Sequence, residues 1–249
     1  MTSLVTYSRE LNGGAINWVE SETCYYSTAD QCTPIWDQLH VGSISSSKIN
    51  IWLGLSRFSE GDTESSKQCV GLSKKKFDSI QLNRMSIGIK GEPTVRDWYA
   101  KKIKYDISEV GIAVWKEDPR MRSSLDGIYT DSNGDKHGIE IKIPKKVYWP
   151  LMQHFKESMS GKVLDKKDMS HIYGSHYDQM VMSMKVTGVK SMDYVVCGHE
   201  SNEIFIQKIM PDEKRWNFLY DKAKLFFINK INPLMVKEGI KRIDPYHME

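Results

Sequence analysis

Residues 125–143 read LDGIYTDSNGDKHGIEIKI. Leu125 to Thr130 and His137 to Ile143 are short and rich in β-branched residues, and Asp131-Ser-Asn-Gly-Asp135 separates them, so the stretch predicts a β-hairpin. The Asn133-Gly134 pair accepts the positive φ that such a turn requires. Side chains alternate along a strand, which puts Glu140 and Lys142 on one face and Ile139, Ile141 and Ile143 on the other, polar one way and core the other. The turn has the outline of a calcium loop, but Lys136 stands where the sixth-position glycine belongs and Lys142 where the bidentate glutamate belongs. That chemistry is rejected.

Working outward, Val110 to Trp115 reads as another strand. Upstream, the apolar positions Met85, Ile89, Val95, Trp98 and Tyr99 recur at near-helical spacing up to Lys102, with Pro93 marking a helix start or kink. Residues 47–55 predict a short helix capped by the Ser45 to Ser47 hydroxyls, and Ser59 to Ser66 predicts a loop anchored by Gly61-Asp62. Downstream of Pro144 the chain is basic and irregular as far as His171. Tyr177, Met180, Val181 and Met184 then mark a half-buried helix over 175–186, stopped at Thr187-Gly188. Asp193 to Cys197 and Glu203 to Ile209 predict a second hairpin, and Asp212 opens an amphipathic helix bearing Trp216, Leu219, Tyr220, Ala223 and Phe227. Central strands between helices predict an α/β fold.

With 249 residues, 40% hydrophobic and 27% charged, the chain can bury a sizeable core and is neither disordered nor fibrous in composition. No repeat or low-complexity linker divides it, which predicts a single domain over 1–249 with an acidic N-terminal extension of about 35 residues. No apolar run approaches the roughly 18 to 20 residues of a membrane span, and the N-terminus lacks the pattern of a secretory leader, so an intracellular, membrane-free protein is expected. The four cysteines have no CxxC spacing, which indicates neither structural zinc nor a redox pair. Net charge is only +3, yet residues 1–41 carry Arg9 against five carboxylates, while 142–190 carry nine lysines against four. A polyanion can sit against the second stretch, Lys145 and Lys146 included, and would avoid the first. A solvated face is the alternative reading of those lysines.

The hairpin also carries the candidate chemistry. Asp126 on one strand and Glu140 on the other can bracket a hard divalent cation, a backbone carbonyl can add a further oxygen, and Lys142 lies within reach of a phosphate under attack. Such a set suits phosphodiester hydrolysis. Asp165-Lys166-Lys167 and Asp212-Glu213-Lys214 repeat the charge pattern without a strand context. His171, His176 and His199 have no compact ligand spacing for a transition metal.

Ser123-Ser-Leu-Asp-Gly-Ile128 followed by Gly138-Ile-Glu-Ile-Lys-Ile-Pro144 resembles the paired SPDG and EIKCP segments of the lambda-exonuclease-like, YqaJ-type viral recombinase nucleases of the PD-(D/E)XK superfamily. Trp36 to Ser47 (WDQLHVGSISSS) resembles that family's W…R.G.ITAS element, and Gly88 to Glu92 its G…E helix element. His176-Tyr-Asp-Gln179, Met184 to Gly188 and Asp193-Tyr-Val-Val196 resemble its later Y..Q…TG…D segment. The resemblance runs in order over roughly residues 36–200.

The resemblance implies a restriction-endonuclease-like core, a central mixed β-sheet flanked by helices. It implies that Asp126, Glu140 and the Ile141 carbonyl hold Mg²⁺, with Mn²⁺ able to substitute, and that Glu92 is a further carboxylate at the metal. Lys142 would be the catalytic lysine, Gln179 would orient nucleophile or phosphate, and Ser47 and Ser124 would contact DNA phosphate. The implied activity is 5′ to 3′ digestion of linear duplex DNA in viral recombination, with a single-strand annealing protein and homo-oligomers as the partners such enzymes use. Two positions depart from the family pattern: Leu125 replaces a proline, and His40 replaces the arginine that holds a 5′-phosphate. Arginine is always charged, whereas histidine, with a reference pKa of about 6.5, is largely neutral at alkaline pH. Lys48 and Arg57 are the nearby alternatives for that charge. Two rival readings remain, an endonuclease of the same superfamily acting on DNA or RNA, and a non-catalytic DNA-binding scaffold.

Overall fold

The computed structural model describes residues 6–11, 14–31, 33–56, 59–147, 166–201 and 203–245. Two sheets organise it. Strands β7 (Gly127–Thr130), β8 (Lys136–Lys142), β9 (Ser191–Cys197) and β10 (Ile204–Ile209) form a four-stranded sheet in the order β10-β9-β8-β7. Strands β7 and β8 are the expected hairpin, with Gly127 opposite Ile139, and Gly134 at φ +84° makes the turn. Strands β8 and β9 run parallel and β9 and β10 antiparallel, so the sheet is mixed.

Within the expected N-terminal extension, three segments form strands of the second sheet. β1 (Thr6–Leu11), β2 (Gly14–Glu20) and β3 (Cys24–Ser27) pair antiparallel in succession, and β3 continues onto β5 (Ala113–Trp115). β6 (Met121–Ser123) and the two-residue β4 (Ile44–Ser45) complete the order β1-β2-β3-β5-β6-β4. Ile16, Trp18, Tyr25 and Val114 are buried on one face with Leu39 of helix α1 (Pro34–His40). Charge balance alone hid this alternation.

Helix α2 (Ile49–Trp52) is shorter than expected, and no hydroxyl caps it. The serines are engaged elsewhere: Ser45 and Ser47 bond each other at 3.0 Å, and Ser46 donates to Ser123 at 3.1 Å. Asp62 begins helix α3 (Asp62–Cys69) rather than sitting in a loop, because Gly61 at φ +84° ends the preceding turn there. Helix α4 (Ser79–Ile103) starts well before Pro93. A capping box fixes that start: Asp78 accepts from the Gln81 amide at 2.8 Å, and the Asp78 amide donates back to the Gln81 side chain at 3.0 Å. Pro93 removes one helical hydrogen bond, a cost of about 3 kcal/mol that the cap and the packing of Val95, Tyr99 and Ile103 offset.

Helices α5 (Lys166–Thr187), α6 (Glu213–Phe226) and α7 (Asn232–Glu238) follow, with a π-helical segment Phe227–Ile231 between the last two. Tyr177, Met180, Val181 and Met184 of α5 are all buried in the largest core cluster, as their spacing predicts. Each such side chain contributes roughly 1.5–3 kcal/mol on leaving water. Ile139 and Ile141 face α4, packing with Tyr99 and Val195. The four-stranded sheet therefore has helices on both faces, and Glu140 lies buried on the side that meets α5.

Candidate active site

Asp126 immediately precedes β7, one step beyond the Gly127 and Ile139 pair, which places it opposite Glu140. Its carboxylate accepts the Ile141 amide proton at 2.6 Å. A strand residue sends its N–H and C=O toward the same neighbour. The Ile141 carbonyl therefore faces the edge where β7 has already ended, on the side of Asp126.

Glu140 is fully buried, and both carboxylate oxygens are engaged: Oε1 with the Lys142 ammonium, Oε2 with Gln179 Nε2 at 2.8 Å. The polar face of the hairpin is thus an internal one. Gln179 reaches it because α5 is pinned one residue earlier. There Asp178 takes a two-pronged contact from Arg215 at 2.6 and 2.7 Å and a hydrogen bond from Asn50 at 2.5 Å. Neither Asp178 nor Arg215 stood out in the sequence, since the two are remote in the chain and sit among ordinary amphipathic helix residues.

Glu92 and Lys142 line a cleft of about 750 Å³ with Arg84, Met85, Ile89, Ile143, Pro144, Lys145, Lys146, His176 and His199. Met85 and Ile89 are 45% and 57% exposed. Their helical spacing therefore marked a cleft wall instead of a core. Lys145 stands on the rim, paired with Glu200 at 3.1 Å, and Lys146 is exposed beside it.

Carboxylates are crowded here. Desolvation pushes Glu140 up to about 8, with Asp126 and Glu92 adding repulsion against the pull of Lys142. Desolvation raises Asp126 as well, opposed by Lys142, the Ile141 amide and Arg96, and it raises Glu92 with help from Asp126. Lys142 is desolvated too, but Glu140 and Asp126 outweigh that and hold it charged. His176 donates or accepts at the Tyr194 hydroxyl at 2.7 Å and is pushed down to about 3 by desolvation and then Lys142, so it is neutral.

Oxygen-only donors suit a hard cation. Among the described residues, no group of three His, Cys, Asp or Glu side chains is arranged to hold a metal alone. Asp126, Glu140 and the Ile141 carbonyl nevertheless fit Mg²⁺, which takes one or two carboxylates and keeps several waters.

His40 lies elsewhere, in a second cavity of about 510 Å³ lined by Trp36, Ser45, Ser47, Lys48, Lys74 and Lys75 among others. Its ring meets Trp36 edge-on at 4.3 Å, and both ring nitrogens are buried without a hydrogen-bond partner. Desolvation, then Arg122 and Lys48, push its pKa down to about 3. His40 is therefore neutral well below the alkaline range as well. Lys48 is also held below its usual value, by desolvation and by Lys75. Ser124 lines neither cavity and accepts from Gln31 at 3.0 Å. Arg57 lies outside the described residues, as do the side chains of Lys166, Lys167 and His171.

No helix among the described residues is long and apolar enough to cross a membrane. No curated relative matches the sequence. The fold is similar to that of the alkaline exonuclease LHK-Exo from Laribacter hongkongensis, with a TM-score of 0.59 at 20% identity over 83% of this chain and 98% of that one. A structure of LHK-Exo in complex with dAMP gives 0.60 at the same identity and coverage. A phage-related exonuclease from Haemophilus somnus 129PT gives 0.52 at 10% identity, covering 82% of this chain and 99% of that one. Residues 35–190 match the YqaJ-like viral recombinase domain, a span that takes in the hairpin, α4 and Gln179. The chain therefore belongs to the YqaJ-like viral recombinase family.

Proposed function

We propose that the chain is a Mg²⁺-dependent deoxyribonuclease that digests one strand of linear duplex DNA from its 5′ end, in viral or phage recombination. The observation that carries this reading is the meeting of Asp126, Glu140, Lys142 and Gln179 at the end of one hairpin, beside an open basic cleft. Asp126, Glu140 and the Ile141 carbonyl would hold the cation. When bound, it would supply Lewis acidity to the scissile phosphate and to the attacking water.

The protein groups divide the remaining work. Lys142 presents a fixed positive charge where negative charge grows on the phosphate. Gln179 holds the Glu140 carboxylate in one orientation, which leaves Lys142 on the other oxygen. Lys145 and Lys146 track the DNA backbone from the rim, and Arg84 adds a further positive charge to the same cleft. In the His40 cavity, Ser47 and the neighbouring lysines Lys48 and Lys75 would receive a terminal phosphate, with the positive charge supplied by Lys48 in place of the family arginine.

One observation favours a second reading. A neutral, buried His40 offers no fixed charge to a 5′-phosphate, which suits a superfamily member that cuts internally in DNA or RNA. Purified protein with Mg²⁺ on linear and covalently closed circular duplex separates the two. Degradation of the linear form alone supports the exonuclease. Cutting of circles at a comparable rate supports the endonuclease, and binding without cleavage of either supports a scaffold.

A further inference from the structure

Arg96 has no place in the division of labour above, yet its guanidinium touches the site from three directions. It lies one helical turn after Glu92 on α4 and is 8% exposed. Its Nε donates to the main-chain carbonyl of Asp126 at 2.7 Å. One terminal nitrogen donates to Glu92 Oε1 at 2.9 Å, and the other is paired with Glu109 in the segment before β5. A single planar fork thus joins the helix that carries one carboxylate, the turn that carries another, and a loop that carries neither.

We propose that Arg96 is the positioning residue of the cation site. The proposal rests on the reading of Asp126 and Glu140 as the cation's ligands. Arg96 fixes the peptide of Asp126 from behind, so that the side chain meets the Ile141 amide and Glu140. It also donates to one oxygen of Glu92, which lines the cleft. A guanidinium presents its donors in a rigid plane, whereas an ammonium is a point charge that cannot span three acceptors on separate elements. The geometry of the fork, rather than its charge, is therefore the quantity at stake. Partners that orient ligands typically change metal affinity about 10- to 100-fold when removed.

Glu109 offers a milder perturbation. Its side chain is 69% exposed, so Glu109→Gln removes the charge from the outer arm of the fork, and weakens that arm, without opening the interior.

The test is direct binding of Mn²⁺, followed by electron paramagnetic resonance of the free ion, on the full chain without DNA. Wild type, Arg96→Lys, Arg96→Met and Glu109→Gln are compared, with circular dichroism to verify folding. Expected are a dissociation constant weakened about 10-fold or more in both Arg96 variants, with Lys giving no rescue, and a smaller loss in Glu109→Gln. Cleavage lost by Arg96→Lys at low metal should return at saturating metal. Wild-type Mn²⁺ affinity in Arg96→Lys would overturn the proposal, because charge alone would then suffice. If Arg96→Met does not fold, Arg96→Lys alone decides by the same criterion. If wild type itself binds no Mn²⁺, the underlying ligand assignment fails and this proposal falls with it, a result distinct from tight binding that Arg96 does not influence.

Discussion

The cleft at the end of the β7–β8 hairpin and the cavity around His40 are both rich in ionisable groups, but they are built in opposite ways. Beside the cleft Asp126 and Glu140, and on its wall Glu92, crowd together, are pushed upward in pKa, and have hydrogen-bond partners that hold each in one orientation. Around His40 three lysines gather: Lys48 is held below its usual value by desolvation and then Lys75, Lys75 pairs with Glu60 at 3.2 Å and Lys74 with Asp37 at 3.7 Å, and both imidazole nitrogens have no hydrogen-bond partner among the described residues. Buried like charges are costly unless a counter-ion answers them. On the proposed reading, the first region would take a cation and the second an anion, as cleavage of a phosphodiester near a phosphorylated end would require.

The largest expected effect lies in the cleft. Asp126→Ala or Glu140→Ala should lower the cleavage rate by about 10³-fold or more, since several kcal/mol of charge stabilisation are lost, while DNA binding changes little. Gel-shift and turnover measured on the same preparations check this. Near wild-type turnover in both variants would dissolve the contrast between the regions.

Next comes the anion side. Lys48→Ala should reduce the preference for 5′-phosphorylated over 5′-hydroxyl ends by roughly 10-fold, the size of one charge-assisted hydrogen bond. Competition between the two ends in one reaction gives the ratio directly. An unchanged ratio would leave the cavity without its assigned role.

The pH dependence of that ratio sharpens the comparison further. With its pKa held near 3, His40 stays neutral across the working range, so the ratio should be flat between about pH 7 and 9, above the second ionisation of the terminal phosphate near about 6. A bend near 6.5 that His40→Asn abolishes would mean that His40 is solvated and carries charge. The same shift has a sign in stability. The unfolded chain protonates His40 below about 6.5 and the folded chain does not, so stability present above that value is lost as pH falls toward 3. His40→Asn should therefore show a shallower decline of Tm on acidification than wild type.

The smallest effect belongs to the cleft rim. Replacing Lys145 and Lys146 with Ala should flatten the log–log salt dependence of duplex binding by about one to two units, near 0.9 for each phosphate that is no longer neutralised. No change in slope would return these lysines to the solvated face that composition alone allowed.

Local patterns carried much of this architecture. The β7–β8 hairpin, the C-terminal half of α5 and the cap of α6 at Asp212 were legible because alternation, apolar spacing and capping residues act within a few positions, whereas the start of α5 at Lys166 fell in a stretch read as irregular. Of the candidate site, Asp126, Glu140, Lys142 and Gln179 were legible through family motifs, and the structure brings those four together. Burial of the Glu140 face was not, since a strand's polar side looks the same whether solvent or a helix covers it. Strands β1 to β3 were also missed: their residues were weighed by charge, and Trp18 and Tyr25 reveal an inward face only once β5 is seen beside them. Pairings such as Asp178 with Arg215 and Arg96 with the Asp126 carbonyl join positions tens of residues apart and leave no periodic trace.

The most direct test of the nuclease assignment is a time course on linear duplex labelled at either 5′ or 3′ termini, run with wild type and Glu140→Gln, with and without Mg²⁺. Gln keeps the shape of the side chain while removing the ligand charge. Expected are Mg²⁺-dependent release of the 5′ label first by wild type, and DNA bound but undegraded by Glu140→Gln. Degradation by Glu140→Gln at the wild-type rate, or by wild type at full rate in chelator, would contradict the assignment.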